Sequence, residues 1–160
     1  MDEHANEGRH ETDKERLDRN LNELLGELRV ALPGVQVLFA FLLAVPFNQG
    51  FAKATGFQKD VYLITLLLTA VATALLIAPS AYHRIEFRQD DKHHIVFLSN
   101  KLAIVGFGFL AAAMSSAILL VTDYLYARTT AVICTAGAAV ILYGFWYALP
   151  LTRRRKISRP

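Results

Sequence analysis

Gln36, Thr65, Thr69, Thr73, Ser115, Ser116 and Thr135 are polar side chains set inside long apolar stretches, and each carries an oxygen able to solvate a cation. None of them exchanges a proton near neutral pH, which proton-coupled transport requires of a side chain in the pathway. The ionisable residues stand at the stretch ends instead: Asp60 and Asp123 at one set, His83 and Lys101 at the other. Thr65, Thr69 and Thr73 recur at i, i+4 and i+8, which places them on one helix face. Hydroxyls so spaced commonly bond to the carbonyl four residues back, so the stripe has a packing reading beside the transport one. Gln36 follows Arg29 by seven residues, about 10 Å along a helix. An amide there calls for a hydrogen-bond partner, on another helix or on a ligand.

The segment "HRIEFRQDDKHHIVFLSNK" gathers His83, His93 and His94 with Asp90 and Asp91. Imidazole and carboxylate are ligands for zinc and similar ions, but no spaced ligand set accompanies the adjacent histidines. A solvated, charged turn is the expectation, with no metal and no cofactor. The single cysteine, Cys134, excludes an intramolecular disulfide and reads as a small packing residue. No nucleophile–base pair, phosphate loop or spaced metal motif occurs, so no enzymatic activity is expected.

The elements that position these residues follow from where the charges stop. Val30 to Ala52, Val61 to His83, Leu102 to Thr122 and Thr129 to Thr152 contain no Asp, Glu, Lys or Arg, and each holds 21 to 24 residues. About 20 apolar residues cross a hydrocarbon core as a helix. The sequence therefore predicts an all-α integral membrane four-helix bundle, residues 30–152, with spans at about 30–48, 61–82, 102–122 and 129–151. The small-residue ladders Gly108, Ala112, Ser116 and Ala131, Thr135, Ala139 suit close packing in such a bundle.

Fourteen of the 17 Lys and Arg residues fall before the first span, between the second and third, or after the fourth. Only Lys53, Lys59 and Arg128 fall on the other side, so both termini and the middle loop are expected in the cytoplasm. Phe51, Phe57, Tyr62, Tyr124 and Tyr126 would anchor the outer interface, and Tyr82, Trp146 and Tyr147 the inner one. This asymmetry accounts for the net charge of +3 without a nucleic-acid partner. The first 29 residues lack the apolar core of a signal peptide, and a multi-pass plasma-membrane location follows, with the lipid bilayer as first partner.

Residues 1–11 are polar and unpatterned, an expected disordered arm. Thr12 to Glu15 reads as a capping box opening an amphipathic cytoplasmic helix over residues 12–29. Leu17, Leu21, Leu24 and Leu28 make its apolar stripe, for packing on the chain's own cytoplasmic loop or on a neighbouring subunit, self-association included. Residues 153–160 form a basic tail. Between helix and first span, Pro33 lacks an amide hydrogen and crowds the carbonyl of Arg29, and Gly34 permits adjustment, so a hinge is expected there.

The stretches "NELLGELRVALPGVQVLFAFLLAVPF" and "FQKDVYLITLLLTAVATALLIAPSAYHR" resemble an uncharacterised bacterial family of short four-span membrane proteins. The resemblance runs from about Glu15 to Pro150 and rests on the leucine-rich lead-in, the "GVQVLFAFLL" core and the "LLIAP…YHR" exit. It implies the four-span fold and the bacterial plasma membrane. Members are often labelled sodium:proton antiporter by automated transfer, and the family brings no catalytic residues to carry over. The residues themselves point first to a protein acting through self-association or as an accessory subunit, a homo-oligomer or the partner of another membrane protein. A cation transporter or channel is the alternative.

If Pro33 is a hinge, Pro33→Ala straightens the junction without impairing insertion. The distance between labels at residues 21 and 41 should then change, and an unchanged distance counts against the hinge.

Overall fold

The computed structural model describes residues 13–85 and 92–157, with side chains from Glu15 to Arg153 except those of Asp18, His83 and residues 92–94. Four long apolar helices make the fold: α1 Asp13–Ala44, α2 Gly56–Ile85, α3 Lys92–Leu125 and α4 Arg128–Tyr143. A single π turn, Gly144–Ala148, carries α4 into α5, Leu149–Ile157. No strand occurs among the described residues, and each of α1 to α4 contributes a stretch long and apolar enough to cross a membrane. Large apolar side chains face outward, Phe41 at 70% and Val140 at 72% exposure among them. That surface is suited to lipid, because few water-soluble monomers expose apolar area so continuously.

The expected N-terminal arm, the expected Thr12 cap and the histidine-rich segment (Asp90, Asp91 and the side chains of His83, His93 and His94) lie outside what is described. The basic tail begins as helix, since α5 runs through Arg153 to Ile157.

The helix starting at Asp13 does not stop near Arg29. It runs unbroken through Pro33 to Ala44, 32 residues, about 48 Å at 1.5 Å per residue. Its buried positions are Leu21, Leu28, Val35 and Leu42, each seven residues after the last, so one face is kept from the amphipathic segment into the span. The boundary drawn at residue 29 is therefore one of composition, and α1 crosses it as one helix. A proline inside a helix leaves one carbonyl without its usual donor, which neighbouring packing tolerates in membrane helices.

The leucine stripe is used inside the chain. Leu28 and Val35 join Ala72 and Leu76 of α2 and Ala103 and Leu110 of α3 in the core, with Leu24 and Leu32 against it. Leu17 and Leu24 face Val96, Phe97 and Asn100 of α3 across a groove of about 450 Å³. The sequence left open whether these leucines serve the chain or a neighbour; Leu21 and Leu28 are buried in the chain's own fold.

Helices α1, α2 and α3 pack on one another, whereas the main interhelix contact of α4 is with α3. Of α4, only Ala131 is buried. Burial against lipid-like surroundings brings no transfer gain, so close approach and hydrogen bonds must hold these helices together. Gly106 supplies the closest approach: a Cβ there would meet Leu76 Cδ2 and Cγ at 2.9 Å and Leu75 Cβ at 3.2 Å. Leu76 is fully buried and has nowhere to retreat.

Gly106→Ala should therefore destabilise the fold by about 1–3 kcal/mol, the usual cost of overpacking, measured by reversible unfolding in detergent micelles. Gly26→Ala, where a Cβ meets nothing within 4 Å, is the control and should be neutral or stabilising by up to about 1 kcal/mol. Equal behaviour of the two variants would remove the tight α2–α3 contact as a determinant.

Candidate functional site: the polar seam between α2 and α3

Threonine hydroxyls in hydrocarbon surroundings need an acceptor, and the helix itself offers one. Thr65 donates to the Val61 carbonyl at 2.7 Å, Thr69 to Thr65 at 2.8 Å and Thr73 to Thr69 at 2.7 Å. Ser115 donates to Ala111, Thr122 to Ile118 and Thr135 to Ala131 in the same way. Thr65 and Thr69 are buried completely, so the stripe is a packed face of α2.

Thr65 also lies 2.6 Å from Ser116 Oγ of α3. Its one hydroxyl proton goes to Val61, which leaves Ser116 as donor across the interface. Ser116 comes from the Gly108, Ala112, Ser116 ladder, and the ladder divides between two neighbours. Eight residues turn a helix by about 80° beyond two full turns, so Gly108 meets α4 while Ser116 meets α2. A Cβ at Gly108 would sit 3.0 Å from the Tyr147 hydroxyl. The Gly108 carbonyl accepts from Tyr143 at 3.0 Å, and the Ile104 carbonyl accepts from Tyr147. Trp146 meets the edge of Phe107, with centroids 5.7 Å apart. These contacts hold α4 and its π turn to α3.

A second polar rung closes the seam where α1 joins α2 and α3 joins α4. Thr55-Gly56-Phe57-Gln58 is a capping box: Thr55 Oγ1 accepts from the Gln58 amide at 3.2 Å, and Gln58 Oε1 accepts from the Thr55 amide at 3.0 Å. The remaining Gln58 nitrogen donates to Asp123 Oδ2 at 3.0 Å. Asp123 Oδ1 faces Arg128 Nε at 3.8 Å, and the carboxylate side chain is only 12% exposed. The Arg128 guanidinium lies 4.1 Å over the Phe57 ring, which steadies a cation at the unfavourable N-terminus of α4. From this rung to the Thr65–Ser116 rung is seven residues along α2 and seven back along α3, about 10 Å. The repeat is that of an antiparallel helix pair in heptad register.

The other predicted site residues lie elsewhere. Pro33, Gly34 and Gln36 are exposed on the outside of α1, and Gln36 is not brought to the threonine stripe. Beside the second rung, Tyr62 donates to the Leu42 carbonyl at 3.1 Å and stacks edge-on with Phe51, centroids 5.0 Å apart. This ties down the end of α1, whose last carbonyls lack helical donors. Cys134 is exposed on α4. Among the described residues, no group of three or more His, Cys, Asp or Glu side chains is placed to hold a metal ion. Sequence reasoning missed Gln58 and the partnership of Asp123 with it. The T-x-x-Q spacing was the available signal for the cap, while the Asp123 contact joins residues 65 positions apart.

Gln58→Leu should cost about 1–3 kcal/mol, because it strands the Asp123 carboxylate as well as losing the cap. A double-mutant cycle with Asp123→Ala should show coupling of about 1 kcal/mol or more. Strict additivity in that cycle would mean that the rung contributes nothing as a pair.

Residues 10–150 match the family model described as a family of unknown function, DUF6328. The chain belongs to that family. No curated protein and no solved structure matches it.

Proposed function

We propose that this member of the DUF6328 family is a small multi-pass plasma-membrane protein that acts by association, with itself or as the accessory subunit of another membrane protein, and without catalysis or a cofactor. In this reading both termini and the loop between α2 and α3 face the cytoplasm, as the distribution of Lys and Arg suggests. The supporting observation is how the intramembrane polar groups are spent. The Thr65, Thr69 and Thr73 hydroxyls donate to carbonyls of their own helix. Gln36, the one amide at comparable depth, stands on the outside of α1. A cation pathway would need these oxygens turned toward a shared wet cavity, and the seam gives them to packing. What the chain leaves unused is outer surface, above all on α4, where one residue is buried.

Cation transport of the antiporter kind is the second reading, and one observation favours it. Asp123 is ionisable, largely buried and aligned with the Thr65–Ser116 rung about 10 Å deeper. Its route inward would have to pass the close α2–α3 contact at Leu76 and Gly106.

Purified protein in proteoliposomes, with empty vesicles as control, should show no proton flux driven by a sodium or potassium gradient. Flux that Asp123→Asn or Thr69→Ala reduces would overturn the association reading and place a pathway along the α2–α3 seam.

A further inference from the structure

Gln36 differs from every other polar side chain placed deep in the apolar helices. The hydroxyls of Thr65, Thr69, Thr73, Ser115, Ser116 and Thr135 all have partners. The Gln36 amide is exposed and makes no hydrogen bond among the described residues. It lies seven residues beyond Arg29 and eight before Ala44, the end of α1, about 10 Å from either in the middle of the apolar run. An amide side chain at that depth reaches no water, and leaving its donors and acceptor to lipid tails carries a heavy penalty. The group that satisfies it must come from outside the chain.

The pattern around it indicates what that group is. Pro33, Gln36, Ala40 and Leu43 are all exposed and follow at spacings of three, four and three, the repeat of a helix-pairing seam. This seam is separate from the buried one of Leu21, Leu28, Val35 and Leu42. Pro33 and Ala40 are compact neighbours on either side of the amide, and a Cβ added at Gly34 would meet nothing within 4 Å, so a second backbone has room to approach. A primary amide carries both donors and an acceptor, which makes it complementary to a copy of itself. Two copies inserted in the same orientation and related by a two-fold axis along the membrane normal bring equal depths together. Residue 36 then faces residue 36, and one amide in an apolar seam fixes register and pair state.

We propose that the outward face of α1 is the interface with a second copy of this chain, closed by a reciprocal Gln36–Gln36 amide pair. The proposal rests on the association reading and gives it a partner and a surface.

The test uses the full chain with Cys134→Ala, carrying Ala40→Cys on the seam or Val140→Cys on the outer face of α4, oxidised in membranes at low expression. Ala40→Cys should give a cross-linked dimer and Val140→Cys should not. Adding Gln36→Leu, which only makes the span more apolar, should weaken dimerisation about five-fold, whereas Gln36→Asn should retain most of it. Photobleaching of labelled chains should count two copies per particle. Cross-linking through Val140→Cys alone would overturn this interface and leave the association reading intact. Dimers indifferent to Gln36→Leu would overturn the amide pair. A single copy with no cross-link at either position would overturn the second copy as occupant, leaving α1 to lipid or to a different protein.

Discussion

In a hydrocarbon surrounding there is no water to satisfy a polar group, so each one must find its partner within the protein or in another. The whole arrangement turns on that constraint. Threonine and serine meet it by bonding to the helix that carries them, and Thr65 and Ser116 add a bond between helices. The Gln58 side chain meets it twice, accepting from the Thr55 amide in the cap of α2 and donating to the Asp123 carboxylate. Among the described residues no buried side-chain nitrogen or oxygen lacks a partner. Such bonds contribute only about 0.6–2 kcal/mol each in membranes, so they select a register more than they supply stability.

With the α2–α3 register set by two rungs, Gly106 can face Leu76 and let the backbones close between them. Helix α1 then lies across both neighbours with its heptad of Leu21, Leu28, Val35 and Leu42 turned inward. Helix α4 is attached differently. Tyr143 at its end and Tyr147 in the π turn donate to carbonyls of α3, and Trp146 of the same turn meets Phe107. A π turn shifts the phase of the residues beyond it, so the final span meets α3 through a few aromatic groups and offers lipid the rest.

The number and class of the helices were legible because charge-free runs of about 20 residues have few other uses. The threonine stripe was legible too, since i, i+4 spacing fixes a face whatever surrounds it. At Pro33 the local rule about missing amide hydrogens drew attention to a hinge, while the long-range pattern shows one helix face continuing through it. Carried past the proline, the spacing of Leu21 and Leu28 reaches Val35 and Leu42 and puts Gln36 about 100° off the buried face. The Asp123 partnership had no comparable signal. Nothing local in a sequence pairs a carboxylate at one hairpin with an amide 65 residues away.

The division of polar groups between seam and surface also bears on what this chain is built to do. A seam in which each hydroxyl is saturated, and in which Gly106 brings two backbones together, resists being opened for a hydrated ion. Opening it would break the Thr65–Ser116 and Gln58–Asp123 bonds, and buried polar groups left half-satisfied are the costly case. An outer face carrying one unsatisfied amide has the opposite property, since its free energy falls when something suitable arrives. In the association reading proposed above, the α2–α3 seam is spent on packing, and the face of α1 around Gln36 is where a partner would be gained.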